Sequence, residues 1–128
     1  MSYAKKKRDN VINYMVSQEE IEYVDSFCAS STRSDRMYAL ASIRREIKSI
    51  EKTVIEYRNN GRIRAECADN IQSVLDSHRQ TLRGLSPSQQ TLPEVTRQLM
   101  LNYRLIKNLS EEILTGHKII VSAHEAIS

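Results

Sequence analysis

The apolar positions near the start of the chain change their spacing twice. Across residues 12–16 they alternate with other residue types, which is the two-residue period of a half-buried β-strand. Ser17 and Glu20 then form an S-x-x-E capping box, the signature of a helix start. The helical spacing that follows is carried by Ile21, Val24, Phe27 and Cys28. A polar patch at 29–33 ends this helix, and Ser34 is predicted to cap a second one.

Periodic apolar residues continue after this first region and predict further helices. The second helix is expected to run to a C-cap signal at 59–61, because residues 40–57 follow a heptad spacing. A third helix is predicted at 62–83, followed by a linker at 84–90. A capping box and a second heptad seam predict a last long helix from 91 to at least 113. We expect these seams to pack on other helices of the chain.

One strand and two helices are too few to enclose a hydrophobic core, and the edge of the strand would keep unpaired backbone N–H and C=O groups. Two copies could solve both problems by pairing their strands across a two-fold axis. We therefore expect a homo-oligomer, either a dimer or a tetramer. The residues predicted to form its contact are Ile12, Tyr14, Val16, Leu40, Ile43 and Ile47.

This first region resembles the ribbon-helix-helix family of bacterial and phage DNA-binding proteins. The matching residues are the strand Ile12-Asn13-Tyr14-Met15-Val16, the cap Ser17 with Glu19 and Glu20, the face Ile21, Val24 and Phe27, the turn Thr32-Arg33-Ser34-Asp35, and Leu40 and Ile43. The resemblance implies a mainly α chain with an N-terminal ribbon-helix-helix unit of one short strand and two helices, followed by a C-terminal helical hairpin or bundle. Residues 1–60 would form the DNA-binding and dimerisation region, and 61–128 a helical region for oligomerisation or partner binding.

The layout is also similar to a narrower group, the plasmid mobilisation accessory proteins, in which a helical tail follows such a head. This resemblance implies binding of double-stranded DNA near a transfer origin within a relaxosome, with a relaxase as a further protein partner. Repressors share the same head, so a role in transcription regulation stays open.

The resemblance assigns the DNA contacts to three segments. In a ribbon placed in the major groove, Asn13 would pair with adenine and Met15 would contact a thymine methyl group. A basic arm before the strand would lie along phosphates, and free amides at the start of the second helix would hold another phosphate. The predicted DNA-binding residues are Lys5, Lys6, Lys7, Arg8, Asn13, Met15, Arg33, Ser34 and Arg36. A solvated tail and a solvent-facing strand are the alternatives for the arm and for Asn13.

Composition narrows the remaining classes of function. The 128 residues carry a net charge of +3, with three glycines and two prolines, too few turn formers for an all-β sandwich or barrel. No apolar run approaches the length of a membrane span. Cys28 and Cys67 fall on apolar helix faces, which favours free thiols in the cytoplasm. Widely separated glycines and histidines provide neither a phosphate loop nor a zinc spacing, so we expect no enzyme, no metal and no cofactor.

A rival interpretation belongs to a different functional class. In it the chain is an all-helical protein-interaction module without DNA binding, such as a secretion chaperone or a phage-encoded inhibitor. Residues 34–60 and 62–83 fit this rival equally well. The strand at 12–16 distinguishes the two, because only the ribbon requires it.

Overall fold

The computed structural model describes the backbone of residues 16–127 and the side chains of residues 16–115. Within these residues the chain forms five helices, numbered here in chain order. They are α1 (Gln18–Ser30), α2 (Arg33–Asn59), α3 (Ala65–Arg83), α4 (Pro87–Gln90) and α5 (Pro93–Ile127). The helix boundaries predicted from the heptad spacing of α2 and the apolar stripe of α3 are confirmed to within a few residues.

Side-chain caps determine where α1 and α2 begin. The Glu20 amide donates to Ser17 Oγ and the Ser17 amide donates to the Glu20 carboxylate, both at 3.1 Å, so the predicted capping box is confirmed. The cap of α2 is Thr32 rather than the predicted Ser34. Thr32 is the cap because the carboxylate of Asp35, three residues later, accepts a hydrogen bond from the Thr32 amide at 2.9 Å. The residue three after Ser34 is Met37, which has no carboxylate.

The end of α2 is a Schellman motif built on Gly61. The Arg62 amide donates to the Tyr57 carbonyl at 2.8 Å, and the Gly61 amide donates to the Arg58 carbonyl at 3.2 Å. Gly61 has a φ of 70°, the left-handed conformation that glycine adopts without strain. The C-cap predicted at this position is therefore confirmed.

Helix α5 packs against each of the other helices. Ion pairs show the directions: Asp25 of α1 meets Arg97, and Glu20 meets Arg104, so α1 is antiparallel to α5. Helices α2 and α3 are also antiparallel, because Arg58 pairs with Asp69 and Glu51 pairs with Arg79. The chain thus runs up and down in a bundle in which α2, α3 and α5 enclose the core and α1 covers one side of α5.

The core is aliphatic and continuous through the bundle. Ile71 and Leu75 of α3 are fully buried against Leu99 and Ile106 of α5, which are each 1 % exposed. Val24 of α1 is also fully buried. Residues from both predicted regions, 1–60 and 61–128, therefore share one core.

The predicted ribbon-helix-helix fold is wrong. Residues 16–127 contain helices and no strand. Val16, the last residue of the predicted strand, lies at a bend before α1 and is 2 % exposed within the helical core. Ile12 and Tyr14 lie outside the described residues. The apolar pattern shows which side of a helix is buried but not which element covers it. Here α5 covers the apolar residues that a second chain would cover in a ribbon-helix-helix dimer.

The residues predicted to contact a second chain are buried inside this one. Leu40, Ile43 and Ile47 of α2 are 5 to 7 % exposed and belong to the same core as α5. The heptad seam of α2 packs on α3 and α5, as the sequence predicted for a seam of this length. Within the described residues, no helix combines the length and the apolarity that crossing a membrane requires.

A candidate interaction face on helix α2

The solvent side of α2 combines exposed apolar side chains with unpaired positive charge. At about 100° per residue, the positions opposite the core form one continuous strip along the helix. We call the basic and apolar residues of this strip the basic face; they are Met37, Tyr38, Ala41, Arg44, Arg45, Lys48, Lys52 and Ile55, and Ser49 and Glu56 lie on the same side of the helix. From its first residue to its last it is about 27 Å long, at ~1.5 Å of rise per residue.

Apolar residues occupy the two ends of the basic face. Tyr38 is 79 % exposed and Met37 54 %, one turn after the start of α2. Ile55 is 49 % exposed at the other end. Burying a large apolar side chain away from water lowers the free energy. The exposed apolar residues therefore indicate a surface that a binding partner covers.

The four cations in the middle of the basic face have no carboxylate partner among the described residues. The Arg44 guanidinium makes one weak hydrogen bond, from Nε to the Leu40 carbonyl at 3.5 Å. Four other arginines are ion-paired, namely Arg58, Arg79, Arg97 and Arg104, whereas the exposed Arg33, Arg62, Arg64 and Arg83 are not, within the described residues. Glu56, at the C-terminal end of the face, carries the opposite charge but forms no ion pair with it.

The start of the basic face is held rigidly by Arg36. Its guanidinium donates to the Ser31 carbonyl at 2.6 Å and to the Thr91 carbonyl at 2.7 Å. Hydrogen bonds from Thr32 to Asp35 keep the pKa of that carboxyl below its usual value, so the carboxylate of the cap stays charged further into the acid range. Tyr38 is therefore presented on a fixed helix start rather than on a loop.

Two buried polar side chains of the described structure, His78 and Ser110, each have an atom without a hydrogen-bond partner, but they line different cavities. His78 is 5 % exposed beside Leu82 and Leu99, and burial lowers the pKa of its imidazole. Ser110 lies under a shallow groove of about 270 Å³ between α2 and α5, and its hydroxyl has no hydrogen-bond partner among the described residues. In the same part of the chain, no group of His, Cys, Asp and Glu side chains is arranged to hold a metal ion.

Three of the nine residues predicted to bind DNA lie in the described structure, all at the start of α2. Arg33 and Ser34 are exposed in the first turn of α2, while Arg36 is partly buried and engaged by backbone carbonyls. The remaining predicted contacts lie outside the described residues; they are Lys5, Lys6, Lys7, Arg8, Asn13 and Met15.

The basic face itself was missed in the sequence, although its charges were visible. The heptad spacing of α2 reveals its apolar seam, and charged residues beside such a seam are typical of a solvated surface. Placing those charges on the helical period puts Arg45, Lys48 and Lys52 within about 60° of one another, with Glu46 about 100° away from Arg45.

Comparison with known proteins identifies no relative of this chain. No protein-family model matches it. Searches of curated proteins and of solved structures also find no match.

Proposed function

We propose that this chain is a non-catalytic, helical protein-interaction module, and that its basic face binds an acidic, amphipathic helix of a partner. The observation that carries this proposal is the strip of four exposed, unpaired cations between exposed apolar residues on α2. A partner helix with apolar residues on one side and Asp or Glu beside them would complement both features.

The apolar ends of the face favour a protein over a nucleic acid. A phosphate backbone would meet the cations, but it offers nothing to Met37 or Ile55. Tyrosine, methionine and arginine are the residues enriched in protein interfaces, where large side chains supply most of the binding energy. The face presents all three types, with Tyr38 as the most exposed of its large apolar side chains.

Selection from a display library of amphipathic helical peptides tests this proposal with the whole chain as bait. The selected peptides should be acidic and should compete with one another for one site. Replacing Arg45, Lys48 and Lys52 with Gln should weaken their binding about tenfold or more, since several rim charges are lost together.

A matched control removes the same charge elsewhere. The triple replacement of Arg62, Arg64 and Arg83 with Gln takes three exposed cations from outside α2 and should leave peptide binding unchanged. Selection of neutral or basic peptides, or equal losses in both triple variants, would contradict the proposal. Tight, strongly salt-dependent binding of a random DNA duplex through Lys48 and Lys52 would instead assign the face to nucleic acid.

A further inference from the structure

Helix α1 carries a solvent face whose chemistry is opposite to that of α2. The residues on the side of α1 away from the core are Glu19, Glu22, Tyr23, Ser26, Ala29 and Ser30. Tyr23 is 58 % exposed, and neither Glu19 nor Glu22 forms an ion pair within the described residues. Glu22 accepts only a long hydrogen bond from Gln18, at 3.5 Å. We call this surface the acidic face.

The acidic face is held in place by contacts on the other side of α1. The carboxylate of Glu20 accepts hydrogen bonds from the Asn108 amide at 3.1 and 3.3 Å, and Asp25 pairs with Arg97. Val24 is fully buried. Because α1 is already folded and anchored, it could dock without a large loss of conformational entropy.

The acidic face fits the basic face in length as well as in charge. α1 has 13 residues and is therefore about 20 Å long, shorter than the ~27 Å basic face. With Glu19 and Glu22 against Lys48 and Lys52, Tyr23 would lie beside Ile55, the nearer apolar end of the basic face, which is about 4.5 Å along the axis from Lys52. A contact between two basic faces would instead bring like charges together, which rules out a symmetric pairing through α2.

We infer that the basic face binds α1 of a second copy of this chain, through Glu19, Glu22 and Tyr23 of the acidic face, because the apolar side of α1 is buried in its own core. This inference rests on the proposed function and names its partner. The contact joins two different surfaces of the chain. Copies therefore form an open chain, a ring or, where a two-fold axis makes the contact reciprocal, a closed dimer, according to the rotation between neighbours.

Sedimentation equilibrium of the full chain over a range of concentrations tests the inference. The wild-type chain should self-associate, and association should weaken as salt is raised. The variant Glu19→Lys/Glu22→Lys and the variant Lys48→Glu/Lys52→Glu should each weaken association about tenfold or more, because opposite charges become like charges. Mixing the two variants should restore association, since each acidic helix again meets a basic one.

The variant Glu66→Lys/Glu94→Lys is the matched control. Both glutamates lie in the first turns of helices, as Glu19 does, so this change makes the same charge reversal and similarly opposes helix dipoles. It should associate like the wild type, and circular dichroism should show all variants folded. A monomeric wild type, equal weakening in the control, or a mixture that stays apart would overturn the inference. If the wild type is monomeric but still selects acidic peptides, only the inference of self-assembly is wrong. If it selects no acidic peptides, the proposed function is wrong as well.

Discussion

Arg36 Nε donates to the carbonyl oxygen of Thr91 at 2.7 Å, across 55 residues of sequence. A second nitrogen of the same guanidinium donates to the Ser31 carbonyl at 2.6 Å. One side chain thus ties the junction of α1 and α2 to the turn that precedes α5. Leu92, next to Thr91, is 45 % exposed, so the same contact brings it to the end of the bundle that carries Met37.

Arg36→Ala should lower the free energy of unfolding by about 1–3 kcal/mol, because it removes charge-assisted bonds and leaves backbone carbonyls without their donor. Arg36→Lys should recover only part of this, since an ammonium cannot reproduce the planar fork. Urea denaturation of both variants measures the loss. Arg33→Ala, an exposed position one turn earlier, is the control. A loss no larger in Arg36→Ala than in Arg33→Ala would contradict the structural role given to Arg36.

Leu75→Ala should be among the most destabilising changes in the chain. Leu75 is fully buried in the core with Ile71, and truncation leaves a cavity that its neighbours cannot fill. We expect a loss of about 2–5 kcal/mol in the free energy of unfolding. Ile55→Ala, which shortens a side chain that is 49 % exposed, should change stability far less. Similar losses at the two positions would show that the helix faces are assigned incorrectly.

Ser17→Ala should destabilise the chain by about 1 kcal/mol, because the Glu20 amide loses the hydroxyl that caps α1. Ser26→Ala, on the exposed side of the same helix, is the matched control and should be close to neutral. Thermal unfolding followed by circular dichroism compares the two. A shift in Tm that is the same for both variants would mean that the capping box contributes little.

Stability should fall as the pH drops below the ordinary histidine value. Burial, with a smaller contribution from Arg79, holds the pKa of His78 below 6.5. The unfolded chain therefore binds a proton at a pH where the folded chain does not, so unfolding is favoured as the pH falls from about 6.5 towards the folded pKa. The free energy of unfolding should be level above this range and should decrease by up to ~1.4 kcal/mol per pH unit within it.

His78→Leu provides the control for this pH dependence. Leucine fills a similar volume without titrating, so the variant should lose the slope between neutral pH and the carboxylate range. The carboxylates affect stability at lower pH. A hydrogen bond from Arg79 lowers the pKa of Glu51, so the stabilisation from the ionised carboxylate is lost only as the pH falls below 4.5, the ordinary pKa of a glutamate. An unchanged slope in His78→Leu would show that another group controls stability in this range.

Local signals in the sequence predicted local structure well. The capping box at Ser17 and the glycine end of α2 at Gly61 depend on residues within one turn of each other, and both are present. The apolar stripe of α3, including Ile71 and Leu75, also lies on the buried face. Such features are set by hydrogen bonds and periodicity that neighbouring residues determine.

The sequence did not predict which helices pack against each other. The spacing of Leu40, Ile43 and Ile47 indicates a buried face but not whether α5 or a second chain covers it. The basic face was missed for a related reason. Its four cations become distinctive only once the structure shows them together on one exposed side of α2, between Tyr38 and Ile55.

Because α5 contacts each of the other four described helices, the element that completes their bundle is the last of the five to be synthesised. During translation α1 and α2 leave the ribosome with Val24 and Leu40 still uncovered, and local helix formation alone cannot bury them. Folding must then wait until α5 has emerged. A chain cut short before Pro93 should therefore be a target for chaperones and proteases rather than a smaller working version of the protein.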